Sequence, residues 1–212
     1  MTVYYAMLIS AVCSYLLGGA NGAIIFSHLI HHEDIREKGS KNPGFTNYKR
    51  VYGNDIIAWI VLIFDVGKAA VCVFLTALFF RNNYDMWQFG AAFAGLFAML
   101  GHCFPLWYGF KGGKAFMAGF ATIWFVDYRM ALIATLIFFI VLASCRYMSV
   151  SSCTASLTCP IALLCIMLAE KTFDLKVWLL CLVSALLVVI RHKSNFEKLK
   201  NHTESKFSLK NK

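Results

Sequence analysis

The stretch Gly101 to Lys114, G-H-C-F-P-L-W-Y-G-F-K-G-G-K, gathers residue types suited to handling an anion. Gly112 and Gly113 let the backbone approach a ligand closely and can turn their N–H groups outward, as in the nests that cradle phosphate. Lys111 and Lys114 flank them with mobile positive charge. The apolar run resuming at Ala115 predicts a helix whose N-terminus adds partial positive charge at the same place. This is not a Walker A loop, which needs the spacing G-x-x-x-x-G-K-[ST]. A lone K-G-G-K also suits a basic connection that merely orients a membrane protein, so its meaning depends on what shares its side.

Three other groups have related chemistry. Gly39 to Arg50, G-S-K-N-P-G-F-T-N-Y-K-R, offers Ser, Asn and Thr side chains that hydrogen-bond phosphate, and Arg50 supplies a two-pronged donor. Ser149, Ser151 and Ser152 are expected between two spans, and R-H-K-S-N at Arg191 to Asn195 follows the last span. Hydroxyls, amides and cations together suit a polyanionic substrate. His102 is a candidate general base, or else an interfacial histidine bonded to loop backbone. Asp65 and Lys68 stand at i, i+3 on an apolar helix, where they can neutralise each other and anchor loops. Neither a Ser-His-Asp spacing nor a Cys/His metal spacing is present, and the eight cysteines fall mostly inside apolar segments as small buried thiols. No metal or cofactor is expected.

The elements that must position these residues are membrane helices. Of 212 residues 59% are hydrophobic, and several runs approach the roughly 20 apolar residues that a bilayer requires. Spans are predicted over Val3–Ile30, Ile56–Phe80, Met86–Tyr108, Cys153–Ala169 and Val177–Ile190, with Asn21 interrupting the first. A long apolar stretch, Ala115–Cys145, is broken by Asp127 and Arg129. Read as one span it puts the basic loop 31–55 and the basic tail 191–212 on opposite sides. Read as a hairpin it brings them together, with fifteen Lys and Arg residues inside, four outside and Lys68 within a span. The positive-inside rule selects the hairpin. The expectation is one all-α integral membrane domain over residues 1–212, with seven transmembrane helices, N-terminus outside and a basic cytoplasmic tail. The net charge of +9 is thereby explained by topology, without nucleic acid. The N-terminus has no basic region of the kind that opens a cleavable signal.

G-S-x-N-P-G-x-T-N-x-x-R at 39–50, G-H-x-x-P with F-K-G-G-K at 101–114, and R-H-x-x-N at 191–195 resemble the three signature motifs of the bacterial PlsY family. The resemblance extends to S-Y-L-L-G at 14–18, Asp65 with Lys68, and Glu204. It implies an acyltransferase of the bacterial cytoplasmic membrane, with a seven-helix fold and motifs facing the cytoplasm. The implied reaction moves a fatty acyl group from acyl phosphate to sn-glycerol 3-phosphate, giving lysophosphatidic acid and phosphate in phospholipid synthesis. Ser40, Arg50, Lys114, His192 and Asn195 match positions that hold glycerol phosphate. Asn42, Gly44, Thr46 and Asn47 match the first motif, and Gly112, Gly113 and Ser152 match positions near the donor phosphate. Lys111 and Arg191 are counted with the binding residues, and His102, Lys114 and Ser152 with the catalytic ones. The chain departs from the pattern at Lys41 and Ala115, where the family has glycine, at Phe45, where it has alanine, and at Ala118, where it has threonine. Those changes remove glycine flexibility and a hydroxyl beside the expected phosphate pocket; either the Lys41 ammonium supplies the lost anion contact, or the changes are drift on a loose loop.

An acyl phosphate is an activated mixed anhydride, so the work of the enzyme is to bring two anions together and align a hydroxyl with a carbonyl. A cation-rich pocket without a strong base suffices, and the resemblance implies that the donor phosphate takes the hydroxyl proton. The rival reading is a weakened homologue that binds phosphorylated lipid precursors or acts as a membrane scaffold. A transporter fits poorly, since the few intramembrane charges trace no relay.

Overall fold

The computed structural model describes residues 2–208, which are helical apart from turns and connections. The helices are α1 (Val3–Gly19), α2 (Gly22–His31), α3 (Phe45–Tyr52), α4 (Ile56–Tyr84), α5 (Trp87–Cys103), α6 (Phe116–Val126), α7 (Tyr128–Cys145), α8 (Met148–Glu170), α9 (Leu175–Arg191) and α10 (Lys193–Lys200). Five segments are long and apolar enough to cross a membrane: Val3–His31, Ile56–Tyr84, Trp87–Tyr108, Tyr128–Cys145 and Met148–Glu170. A sixth forms if α9 and α10, bent by 47°, are taken as one. At 11 residues, α6 reaches only about half of the ~30 Å hydrocarbon thickness.

α5 is the most buried of the spans and packs against α1, α4, α6 and α9. Small residues permit this. A Cβ on Gly18 would lie 2.3 Å from the Ala98 carbonyl oxygen, and one on Gly101 would lie 2.0 Å from that of Tyr15. Helices in lipid gain their contacts through such close approach. The outward faces of α4 and α7 carry exposed Ile63, Leu75, Leu136 and Phe139, as a lipid-facing surface requires.

The stretch from 115 to 145 reverses at Asp127, which ends α6 and caps α7. Phe116 and Phe138, eleven residues either side of the break, stack at 5.2 Å between ring centroids. A continuous helix would hold them about 30 Å apart.

Four sequence expectations change. The first span is two helices, because buried Asn21 caps α2 and interrupts the ladder. The broken ends find buried partners: the Lys68 ammonium donates to the Ala20 carbonyl, and Gly22 N–H donates to Asp65 Oδ1 at 3.4 Å. The third span reaches Tyr108 as expected, but its α-helix stops at Cys103, since Pro105 cannot continue it, and a 3-10 turn, Leu106–Tyr108, completes the segment. Residues 31–55 are not all loop but include α3, and residues 191–212 include α10. Finally, Ser149, Ser151 and Ser152 lie inside α8 rather than between spans, because α7 and α8 are joined by Arg146 and Tyr147 alone.

Candidate active site

The first turns of α3, α6, α8 and α10 converge on one open cavity of about 1200 Å³. No side chain caps any of these four helix starts. Their leading N–H groups therefore remain for solvent or ligand. The starts of α3, α6 and α8 carry partial positive charge, while α10 follows α9 directly through His192, and the C-terminal end of α9 offsets its dipole. Asn21, Asp55, Asp127 and Asp174, by contrast, cap α2, α4, α7 and α9. Arg50, Lys114 and Arg191 line the same cavity, and Arg50 makes no ion pair among the described residues. The arrangement is suited to an anion, with backbone and side chains contributing together.

The loop before α3 is organised by Asn47. Its Oδ1 accepts from Ser40 N–H at 2.7 Å, and its Nδ2 donates to the carbonyls of Lys38 at 3.0 Å and Ile35 at 3.3 Å. Asn47 is 1% exposed and fully engaged, so it holds the loop and leaves ligand contact to Ser40, Asn42 and Thr46, which line the cavity. Gly44 is the open start of α3.

The glycine–lysine loop is not the expected nest. Gly112 N–H donates to Cys103 O at 3.1 Å and Gly113 N–H to His102 O at 3.0 Å. Both amides point at the end of α5, whose last carbonyls lack helical partners. The glycines serve close approach instead: a Cβ on Gly112 would sit 2.1 Å from His102 O, and one on Gly113 would sit 2.2 Å from His102 Nε2. Arg191 clamps the other side, donating to Gly113 O and Gly112 O at 3.1 Å each, with its guanidinium 5.0 Å from the Phe104 ring centroid. Lys111 is exposed and lies outside the cavity lining, whereas Lys114 lies within it.

A buried polar set closes the floor. Lys68 Nζ lies 2.8 Å from Asp65 Oδ1 and 3.1 Å from His102 Nδ1. An ammonium can only donate, so His102 Nδ1 accepts and the ring proton belongs on Nε2. His102 thus offers a donor at the cavity, not a base. His192 has the opposite tautomer. Its Nδ1–H donates to the Val188 carbonyl at 2.7 Å, which leaves Nε2 as an acceptor. Lys114 donates to Asn195 Oδ1, and Asn195 Nδ2 donates to Glu204 Oε1 at 2.6 Å. Burial pulls the Lys114 ammonium down to about 8, against a partly offsetting attraction from Glu204.

The sequence profile described as Glycerol-3-phosphate acyltransferase matches residues 8–202. The chain belongs to this family, the PlsY family. The glycerol-3-phosphate acyltransferase of Ureaplasma urealyticum serovar 10 is 31% identical, covering 99% of this chain and 93% of the relative. That of Francisella philomiragia is 34% identical over 97% of this chain and 94% of its own length. Crystal structures of PlsY (YgiH), an integral membrane glycerol 3-phosphate acyltransferase, are similar in fold. The glycerol 3-phosphate form has a TM-score of 0.81 at 26% identity, covering 95% of this chain and 96% of that one. The lysophosphatidic acid form has a TM-score of 0.78 at 25% identity, covering 96% of each.

In this PlsY-family chain, two of the departures acquire a physical meaning. Lys41 and Ala115, which replace glycines of the pattern, both have left-handed backbone, with φ of +61° and +58°. Ala118 is fully buried among Ala98, Met99 and Cys103 and does not line the cavity. A hydroxyl at 118 would lie outside the cavity lining, which favours drift on the loop over compensation by Lys41.

Sequence reasoning missed the C-terminal segment that borders the PlsY-family cavity. Residues 203–208 line it, and Phe207 N–H donates to Arg146 O at 2.7 Å. Lys49 reaches across to donate to Ser208 O at 2.8 Å. Only Glu204 was legible there, because a polar tail shows no periodicity that would announce its contacts.

Proposed function

We propose that this protein transfers a fatty acyl group from acyl phosphate to glycerol 3-phosphate, giving 1-acylglycerol 3-phosphate and inorganic phosphate. The observation that carries this reading is the convergence of four uncapped helix starts with Arg50 and Lys114 on one cavity. That cavity is large enough for two phosphate-bearing molecules at once, and its fixed dipoles offset their mutual repulsion.

Ser40, Thr46 and Arg50 hold the glycerol phosphate beside Lys114 and Asn195, while Ser152 and the first turn of α6 face the donor phosphate. His192 Nε2, left as an acceptor, orients a glycerol hydroxyl. That hydroxyl oxygen attacks the acyl carbonyl carbon, the carbon–oxygen bond to phosphate breaks, and phosphate leaves carrying the hydroxyl proton. No protein base is required. The His102 tautomer argues against that residue, and its Nε2–H instead donates towards developing negative charge.

The reading includes topology. Seven membrane passes, with α6 and α7 as a hairpin of one short and one full-length member, put the cavity and the C-terminus in the cytoplasm and the N-terminus outside. Fifteen Lys and Arg residues against four support this orientation in the bacterial cytoplasmic membrane. Cysteine labelling should reach positions 41, 112 and 205 from the cytoplasm and 83 and 173 from outside. Opposite-face labelling of 112 and 205 sinks the seven-pass reading.

The functional test is product formation by purified protein given glycerol 3-phosphate with acyl phosphate or an acyl thioester. Acylglycerol phosphate from the acyl phosphate alone is the expected result. Product from the thioester alone, or from neither, overturns the assignment.

A further inference from the structure

Within the first turn of α8, three serines are treated differently by their surroundings. Ser151 donates its hydroxyl to the Tyr147 carbonyl at 2.9 Å, an ordinary i−4 bond. Ser149 and Ser152, one turn apart on the same face, line the cavity. Ser149 is 2% exposed, and its Oγ has no hydrogen-bond partner among the described residues. A buried hydroxyl left unmatched is costly, and native proteins keep few of them. This one sits at a helix start that has no side-chain cap, in a cavity lining shared with Lys114 and the equally uncapped start of α6.

We propose that Ser149 is a further substrate-binding residue, whose hydroxyl and adjacent α8 amides hold the phosphate of the acyl donor. This rests on the acyl phosphate reading above, including its division of labour, and adds to it one residue. The α3 side of the cavity, with Arg50, takes the glycerol phosphate, and the α8 start takes the donor. The hydroxyl is unmatched because its partner is a phosphate oxygen that arrives with substrate. It donates one hydrogen bond to an ionised acceptor, the stronger kind of contact. No proton moves and no bond forms at Ser149.

The test compares wild type with Ser149→Ala and Ser149→Thr, varying each substrate in turn and recording thermal unfolding with and without inorganic phosphate. Ser149→Ala is expected to raise KM for acyl phosphate about tenfold while KM for glycerol 3-phosphate stays within about twofold. Ser149→Thr, which keeps a hydroxyl, restores most of the donor KM. Without ligand, Ser149→Ala unfolds about 2–4 °C higher than wild type, since an unmatched buried hydroxyl is gone. Added phosphate then raises the wild-type midpoint more than that of the variant. A donor KM unchanged by Ser149→Ala in an active wild type overturns the assignment, as does a lower midpoint in its ligand-free form. If wild type makes no product from acyl phosphate, the proposed reaction has failed instead. The phosphate-induced shifts still decide on Ser149, and equal shifts in wild type and alanine variant reject it.

Discussion

At one end of the bundle the starts of α7 and α9 are closed by their own carboxylates. Asp127 accepts from Arg129 N–H at 2.9 Å and Met130 N–H at 3.4 Å, and Asp174 from Lys176 N–H at 2.8 Å and Val177 N–H at 3.2 Å. The cation there is matched too, with Arg129 bridging Asp127 at 2.7 Å and Glu170. At the cavity end, α3, α6, α8 and α10 start without such caps, and Arg50 is left without a carboxylate. Both ends use the same element, a helix N-terminus with a nearby cation. Where the protein supplies the anion, the result is structure. Where it withholds the anion beside a cation, both helix start and cation are left open to an anion from outside, as the proposed reaction requires.

Exchanging the roles of the two ends in experiment gives the largest expected effect. Lys114→Ala should lower kcat/KM for acyl transfer by roughly three orders of magnitude, because a partly buried cation between two phosphates is lost. Arg129→Ala should leave kcat/KM within about twofold and lower the melting midpoint slightly, since Asp127 keeps its backbone N–H donors but loses the guanidinium. Thermal melts beside initial-rate assays check both, and equal activity losses at the two ends would erase the distinction.

Arg50→Lys keeps the charge but not the planar fork, and a loss of one to two orders of magnitude in kcat/KM is predicted. Full activity in this variant removes Arg50 from the site.

The pH dependence is smaller and sharper. Burial holds the Lys114 ammonium at about 8, below its ordinary value, so in the free protein it loses its proton as pH rises through about 8. A bound phosphate stabilises the charged form and raises that pKa. Glycerol 3-phosphate affinity should therefore fall above pH 8 by up to about tenfold per unit, with proton uptake on binding. Calorimetry at pH 8.5 in buffers of different ionisation enthalpy measures the uptake. Lys114→Arg should abolish it, and uptake that persists in this variant assigns the proton elsewhere.

The smallest effects concern the left-handed residues. Lys41→Gly and Ala115→Gly each relieve about 1–2 kcal/mol of backbone strain, against about 0.5–1 kcal/mol of added unfolded-state entropy. Each should raise stability by up to about 1 kcal/mol. Destabilised variants would mean that the Lys41 or Ala115 side chain makes a contact that outweighs the strain.

Much of this was legible in the chain itself. Apolar run lengths and the break at Asp127 indicate the helices, because a bilayer imposes simple rules on their length and polarity. Motif residues of the site were legible as chemistry, and most of them do meet at the cavity. What could not be read was the direction of backbone groups. Gly112 and Gly113 suggested outward amides, yet the open carbonyls at the end of α5 claim them. Arg191 looked like a ligand cation, and its hydrogen bonds to that loop could not be read from the chain. Ser149 looked like a loop residue because serine favours turns, while a two-residue connection carries α8 back far enough to enclose it.

The central claim is that both anions occupy the cavity together and the acyl group passes directly between them. Initial rates with acyl phosphate and glycerol 3-phosphate varied against each other test it most directly. Intersecting double-reciprocal lines, with no acylated protein on rapid quenching in the absence of glycerol 3-phosphate, are the predicted result. Parallel lines together with a trapped acyl-enzyme would contradict it.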